Sequence, residues 1–161
     1  MKGKPHDLSV YHDIQSRRPT PRTWTAAPGA SYVPAIINGD HIYTSGQLPS
    51  IEGRLTITGS VGTTVSGDVA KDQAAICTLN ALAAIKAQIG NLDRVTQIVK
   101  VVGFVASDPG FIEQPRVING ASELLSEIFS GSIGAHARSA VGVAALPLGA
   151  PVEVEITARF A

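Results

Sequence analysis

Several features that define common protein classes are missing from this chain. Its 161 residues contain one cysteine, Cys77, which excludes an intramolecular disulfide and leads us to expect a reducing, cytoplasmic setting. No apolar run approaches the roughly 20 residues of a membrane span, so we expect neither a membrane segment nor a signal peptide. Apolar residues still make up 44% of the chain, which excludes a disordered protein and suits one folded domain.

A net charge is also missing, although the charges are unevenly placed. Residues 1–25 hold five basic and two acidic side chains, whereas residues 26–161 hold eight basic and eleven acidic ones. We expect no nucleic-acid partner, because such a body lacks the clustered Lys and Arg that bind phosphates. The Pro-rich residues 1–31 are predicted as an extended N-terminal arm with a short helix near residues 8–15, and residues 32–161 as the folded domain.

The sequence motifs of several enzyme classes are absent too. No pair among the four histidines has metal-ligand spacing on a helix, so we expect no metal site. The chain has neither a G-x-S-x-G nucleophile motif nor a G-x-x-x-x-G-K-[ST] phosphate loop. Any chemistry must therefore depend on separate polar side chains brought together by the fold.

Hydrophobic periodicity predicts an α+β fold. Eight elements are expected in the order β-β-β-α-β-α-β-β, at residues 32–37, 41–48, 54–59, 68–90, 94–106, 115–129, 138–143 and 152–157. Ser66 and Gly90 are suitable caps for the first helix, which is expected to bury the Cys77 thiol. Both helices should pack on one face of a mixed sheet.

The last two predicted strands carry charges among apolar residues. Strand alternation gives the last strand one face of Val152, Val154 and Ile156 and an opposite face of Glu153, Glu155 and Thr157. In the strand before it, Arg138, Ala140 and Gly142 alternate with Ser139, Val141 and Val143. We expect Arg138 to share the face of the glutamates, with vacant space beside Ala140 and Gly142.

That charged face has three interpretations. An unpaired ion on a buried face costs several kcal/mol, so the charges must be paired or in contact with water. The face therefore forms a structural Arg138–Glu salt bridge, faces bulk water, or is the wall of a pocket. His136 would share the face of Arg138. There it either assists a proton transfer or lies at a rim in contact with solvent or a partner chain.

Taken together, residues 32–160 resemble the Rid family (reactive intermediate deaminase, YjgF-like, formerly endoribonuclease L-PSP), in a longer branch. The resemblance rests on Tyr32, TSGQLP (44–49), a helix entered from a Gly-rich loop, LDRVTQIVKVVGFV (92–105) and ARSAVGVAALPLGAPVEVE (137–155). It implies the chorismate-mutase-like (bacillus type) fold. It further implies a homotrimer with clefts between subunits and no metal or organic cofactor.

The resemblance also assigns candidate site residues. Arg138 would bind a substrate carboxylate and Glu153 would act on a water molecule, which makes these two the catalytic candidates. The implied substrate-binding residues are Tyr32, Ser45, Gly46, Asn119 and Ala140. Ala140 stands where many family members have a cysteine.

The implied activity is hydrolysis of small, carboxylate-bearing enamines or imines to 2-oxo acids and ammonia. An aminomuconate-type deaminase is a related alternative, because Ala140 would leave room for a bulkier substrate. A trimeric carboxylate-binding or stress-protective protein without turnover is a second alternative. Endoribonuclease activity is a third, and the acidic body argues against it.

Overall fold

The computed structural model describes residues 31–161, so the predicted arm (except Ser31) and its short helix lie outside the described residues. Within that range the chain forms seven strands and two α-helices. The strands are β1 (Ala35–Asn38), β2 (His41–Thr44), β3 (Ser50–Ile51), β4 (Arg54–Leu55), β5 (Val95–Ala106), β6 (Ala137–Val143) and β7 (Val152–Phe160). The helices are α1 (Gly67–Ile89) and α2 (Gln114–Ile128).

Five of the strands form one mixed sheet in the order β1-β2-β7-β5-β6. β5 and β6 run parallel and are connected through α2, whereas the other neighbours are antiparallel. Both helices pack on one face of this sheet around a continuous apolar core. The predicted α+β class and the helix placement are confirmed.

The third predicted strand is only partly present. Of residues 54–59, only Arg54 and Leu55 are in a strand, and they pair with Ser50 and Ile51 in a separate two-stranded sheet. The turn between them is Glu52-Gly53, and both residues have positive φ, 51° and 78°. The prediction missed this small hairpin because Glu52 is an uncommon residue in a left-handed conformation.

The first helix begins and ends where its caps were predicted. Ser66 accepts a hydrogen bond from the backbone N–H of Val69 at 3.3 Å, and Gly90 ends the helix with φ 84°. The Cys77 thiol is fully buried, as expected. In the part of the chain that the structure describes, neither helix combines the length and apolarity needed to cross a bilayer.

The two helices approach each other at Gly120. A β-carbon at this position would collide with the backbone carbonyl oxygen of Lys71 on α1. Glycine is therefore required for backbone-to-backbone contact, and this contact fixes where α2 lies relative to α1 and the sheet.

The prediction of which β7 side chains point towards the helices is confirmed, whereas the same prediction for β6 is wrong. Val152, Val154 and Ile156 are buried towards the helices, and Glu153 and Glu155 lie on the helix-free face. In β6, however, Arg138 is paired with the buried Val101 and points to the helix side. Alternation shows which residues share a face but not which face is buried, and at this edge strand the polar residue lies on the helix side.

Candidate functional site

The predicted site residues fall into two groups on opposite faces of the sheet. Tyr32, Gly46 and Glu153 line a cavity of about 120 Å³ beside the β3–β4 hairpin. Arg138 and Asn119 meet on the helix side, at the edge strand β6. β5 lies between β6 and β7, so Arg138 and Glu153 are two strands apart, roughly 10 Å across the sheet by ordinary strand spacing. They are also offset along the strands, because Arg138 pairs with Val101 of β5 and Glu153 with Phe104, and they face opposite ways.

Glu153 is half-buried in the wall of the first group, which we call the carboxylate cavity. It is packed so closely against Gly46 that a β-carbon on residue 46 would collide with its Oε1. Burial, and secondarily the neighbouring Glu155 carboxylate, raises the pKa of Glu153 from its usual value of 4.5. The side chain thus holds a proton more readily than a carboxyl in water, which suits a group that exchanges protons with a substrate or a water molecule.

Ser45 lies next to the carboxylate cavity but has a backbone role. Its hydroxyl donates to the carbonyl of Val33 at 2.6 Å, and its N–H donates to the carbonyl of Pro34 at 2.8 Å. These bonds hold the segment that carries Tyr32 against the end of β2. Ser45 is therefore a residue that positions the tyrosine, whereas Gly46 provides the space that Glu153 occupies.

The residues that the sequence prediction missed include Leu148, which lines the carboxylate cavity, and Asn80, which supports its wall. Asn80, buried on α1, donates through Nδ2 to the carbonyls of Leu48 (2.8 Å) and Ser50 (3.0 Å) and so anchors the wall of the cavity. Leu148, on the opposite wall, is 80% exposed and has φ 59°. An asparagine inside an otherwise apolar helix was the available signal for Asn80, but its partners are about 30 residues away.

The second group is organised around the Arg138 guanidinium. NH1 donates to Oδ1 of Asn119 at 2.8 Å and to the Ser122 hydroxyl at 3.1 Å. Within residues 31–161, Nε and NH2 of Arg138 have no hydrogen-bond partner, and no carboxylate forms an ion pair with this side chain. The Arg138–Glu salt bridge, one of the three interpretations of the charged face, is therefore absent from the described residues.

His136 is connected to the same group through Ser122. Its Nε2 lies 2.9 Å from the Ser122 hydroxyl, and its Nδ1 lies 2.7 Å from the carbonyl oxygen of Gly134. The expectation that His136 shares the face of Arg138 is confirmed. Ser122 was missed because nothing in the sequence distinguishes it from Ser126, the other serine of its helix.

The expected vacant space beside Arg138 is only partly present. Ala140 follows Arg138 on the helix side and packs against the edge of the core. The space beside Gly142 is occupied, because a β-carbon there would lie 2.9 Å from Nε2 of Gln114 and from Oγ of Ser107. β6 is the edge strand of the sheet, so no strand of the described residues lies on the outer side of the arginine.

Neither group contains an evident metal-binding arrangement. Among residues 31–161, no three His, Cys, Asp or Glu side chains are placed so that they could hold an ion together. The side chains that are present can bind an anion through a guanidinium and transfer a proton through a carboxyl group.

Comparison with known proteins gives consistent matches over most of the chain. The family model described as YjgF/chorismate mutase-like, putative endoribonuclease, matches residues 21–160. Protein TCP17 of Trypanosoma cruzi is 42% identical over 130 residues, which cover 81% of this chain and 81% of that protein.

Two crystal structures from bacteria are also similar. Protein Atu1372 of Agrobacterium tumefaciens, of unknown function, is 44% identical, with a TM-score of 0.78 over 81% of this chain and 83% of that one. A protein of Shewanella oneidensis MR-1, titled a putative endoribonuclease, is 30% identical, with a TM-score of 0.82 over 92% of this chain and 98% of that one.

Proposed function

This chain belongs to the YjgF-like (Rid) family, and from that premise we propose that it hydrolyses small, carboxylate-bearing enamines or imines to 2-oxo acids and ammonia. The observation that carries the proposal is the state of Arg138. Its guanidinium is held through NH1 alone, and Nε and NH2 have no partner in the described chain. Two parallel N–H groups on one edge of a guanidinium match the two oxygens of a carboxylate.

We propose further that the complete site forms between copies of the chain, in a homotrimer. The separation of Arg138 from the carboxylate cavity supports this, because a single copy does not join the two groups. The helix-free face of the sheet supports it as well. Val141 (44% exposed) and Tyr43 (41% exposed) lie on this face, and nothing within residues 31–161 forms a layer over them, as expected for a surface that packs against another subunit.

The proposed mechanism needs no cofactor and no strong nucleophile. Arg138 of one subunit binds the substrate carboxylate and thereby places the C=N carbon beside Glu153 of a neighbouring subunit. Glu153 accepts a proton from water as the oxygen attacks that carbon, and it returns the proton to the nitrogen. The hydroxyl proton of the resulting carbinolamine then passes to the nitrogen, again by way of Glu153, while the C=O bond forms and the C–N bond breaks. One imine and one water thus become one 2-oxo acid and one ammonia.

The properties of Glu153 and of its surroundings suit this role. Its raised pKa makes the carboxylate a better base than a solvent-exposed one. Tyr32, Leu48 and Leu55 line the cavity around it and would hold the apolar part of a substrate. The single buried Cys77 also leads us to propose a reducing, cytoplasmic setting.

The experiment compares wild-type protein with Arg138→Ala and Arg138→Lys. An amino-acid oxidase generates a short-chain imine, and the release of 2-oxo acid is followed above the spontaneous rate. Wild type should accelerate the release and Arg138→Ala should not. Arg138→Lys should recover only a little, since an ammonium cannot bind both oxygens in parallel. Equal rates for wild type and Arg138→Ala would contradict the proposal.

The alternative without turnover predicts a different result in the same samples. A carboxylate-binding or stress-protective protein would bind a 2-oxo acid through Arg138 but leave imine decay unchanged.

An aminomuconate-type deaminase would favour a larger substrate over the short imine. The endoribonuclease description of the family would require RNA cleavage, and the eleven acidic against eight basic side chains of residues 26–161 make a poor surface for RNA.

A further inference from the structure

We propose that Ser122 and His136 are positioning residues that hold Arg138 in one orientation and so decide which edge of its guanidinium receives the carboxylate. This inference rests on the proposed function, because it concerns the same anion site. It goes beyond that function by assigning roles to two side chains that do not touch the substrate. We call Gly134, His136 and Ser122, in the order of their hydrogen bonds, the arginine brace.

The hydrogen bonds of the arginine brace have a defined direction. The carbonyl of Gly134 can only accept, so the hydrogen of His136 must be on Nδ1. In the neutral imidazole Nε2 is then an acceptor, and the Ser122 hydroxyl donates to it over 2.9 Å. The lone pairs of Ser122 Oγ consequently face the arginine, where one accepts from NH1 over 3.1 Å.

This direction determines what remains free on Arg138. NH1 has two hydrogens, and Asn119 and Ser122 accept one each. The donors left for a ligand are therefore the hydrogen on Nε and the two on NH2, and of these the Nε hydrogen and one NH2 hydrogen point in parallel from the same edge of the guanidinium. A carboxylate should bind side-on along the Nε–NH2 edge and not end-on across NH1 and NH2.

The far end of the brace is rigid. A β-carbon on Gly134 would lie 2.6 Å from the carbonyl oxygen of Phe129 and 2.9 Å from that of Leu125, so residue 134 is packed directly against the end of α2. Ser122 and Asn119 are three residues apart on that helix and hence lie on one face of it. Both bonds to NH1 thus originate from one helix, and the brace ties this helix to the residue before β6.

Loss of the Ser122 hydroxyl should weaken carboxylate binding without stopping chemistry. In Ser122→Ala, NH1 keeps one bond instead of two, and the arginine regains rotational freedom that binding must then remove. We expect the Kd for pyruvate and the KM for a short imine to rise three- to tenfold, with kcat nearly unchanged. His136→Leu should give a smaller rise, because Ser122 remains present but is free to turn its hydrogen towards the arginine.

The test uses the full chain and titrates pyruvate into each variant by calorimetry, alongside steady-state kinetics. Ser122→Thr keeps a hydroxyl and should restore near-wild-type Kd. Ser126→Ala removes a serine from the exposed side of the same helix and should leave Kd and KM unchanged. Thermal unfolding of every variant separates loss of fold from loss of the brace, since a merely structural role would lower Tm and would not raise KM alone.

The outcomes distinguish this inference from the proposed function. If Arg138→Ala weakens pyruvate binding while Ser122→Ala and wild type agree within twofold, the brace is wrong and the anion site stands. If wild type neither binds pyruvate nor accelerates imine hydrolysis, the proposed function fails and the brace fails with it. A raised Kd in Ser122→Ala that Ser122→Thr reverses supports the brace.

Discussion

Oε1 of Glu153 fills the space in which a β-carbon of residue 46 would lie, so it can take this position only because residue 46 is glycine. The carboxylate is the far end of a flexible side chain, so it can move aside at little energetic cost. The position of the proposed base is therefore controlled by the absence of a side chain on residue 46.

Gly46→Ala should consequently lose most of its turnover and keep its fold. We expect kcat/KM for imine hydrolysis to fall at least tenfold, because a displaced base no longer lies beside the water it activates. Gly67→Ala is a matched control, since its β-carbon would make ordinary contact with Phe111 at 3.7 Å. Full activity in Gly46→Ala, with an unchanged Tm, would show that Glu153 does not need its present position.

Glu153→Gln should change the pH dependence of stability as well as abolish turnover. Because the pKa of Glu153 is raised by burial and by Glu155, the folded state binds this proton more tightly than the unfolded chain does. Wild-type stability therefore falls as pH rises from about 4.5 through the raised pKa. The glutamine variant lacks this loss, so it should exceed wild type in Tm near neutral pH and match it near pH 4.

Glu155→Gln provides the comparison for that experiment. Burial raises the pKa of Glu155 too, so its glutamine variant should gain stability in the same direction. Turnover should persist, because Glu155 does not line the carboxylate cavity. A Tm difference between wild type and Glu153→Gln that stays constant from pH 4 to neutral pH would argue against the raised pKa.

Gly120→Ala should destabilise the protein even though alanine is the better helix former. Helix propensity favours alanine by about 1 kcal/mol, but the new methyl group meets the backbone of Lys71, which cannot turn away. Overpacking of this kind typically costs about 1–3 kcal/mol, and a contact with rigid backbone belongs at the upper end of that range. After the gain in helix propensity is subtracted, we expect a net loss of about 2 kcal/mol in the free energy of unfolding. Urea denaturation measures it, and a gain in stability would mean that the helices can separate freely.

Asn80→Ala should loosen the wall of the carboxylate cavity. The carbonyls of Leu48 and Ser50 lose their donor in a partly buried position, which costs about 1–3 kcal/mol. KM should rise along with the loss of Tm, because Leu48 and Ser50 line the cavity. Thr78→Val on the same helix removes only a bond to the carbonyl one turn earlier and should have little effect on KM.

Local signals in the sequence were sufficient for the first helix and for the last strand. The hydroxyl of Ser66 caps the start of α1, and Gly90, which has no side chain, ends the helix. The alternation of residues around Glu153 reflects a strand with one buried and one open face. Such features depend on neighbours within a few residues. They can therefore be predicted without knowledge of the fold.

The orientation of Arg138 and the role of Ser122 depend on packing instead. β6 is an edge strand beside the outer face of α2, so a polar side chain on its helix side reaches Asn119 and Ser122 rather than the apolar core. No short-range pattern contains this information. Of the missed positions of the candidate site, Asn80 and Ser122 make their contacts with distant segments.

The direct contact of Gly120 with the Lys71 backbone has a consequence for how relatives of this protein would diverge. Two helices in backbone contact cannot easily shear past each other to admit a larger molecule, so we expect the end of the proposed site that holds Arg138 to stay constant. The opposite wall consists of a two-residue hairpin turn and the exposed Leu148, neither of which supports the core. Selection for new substrates would act most readily there, by changing the length and the side chains of those turns.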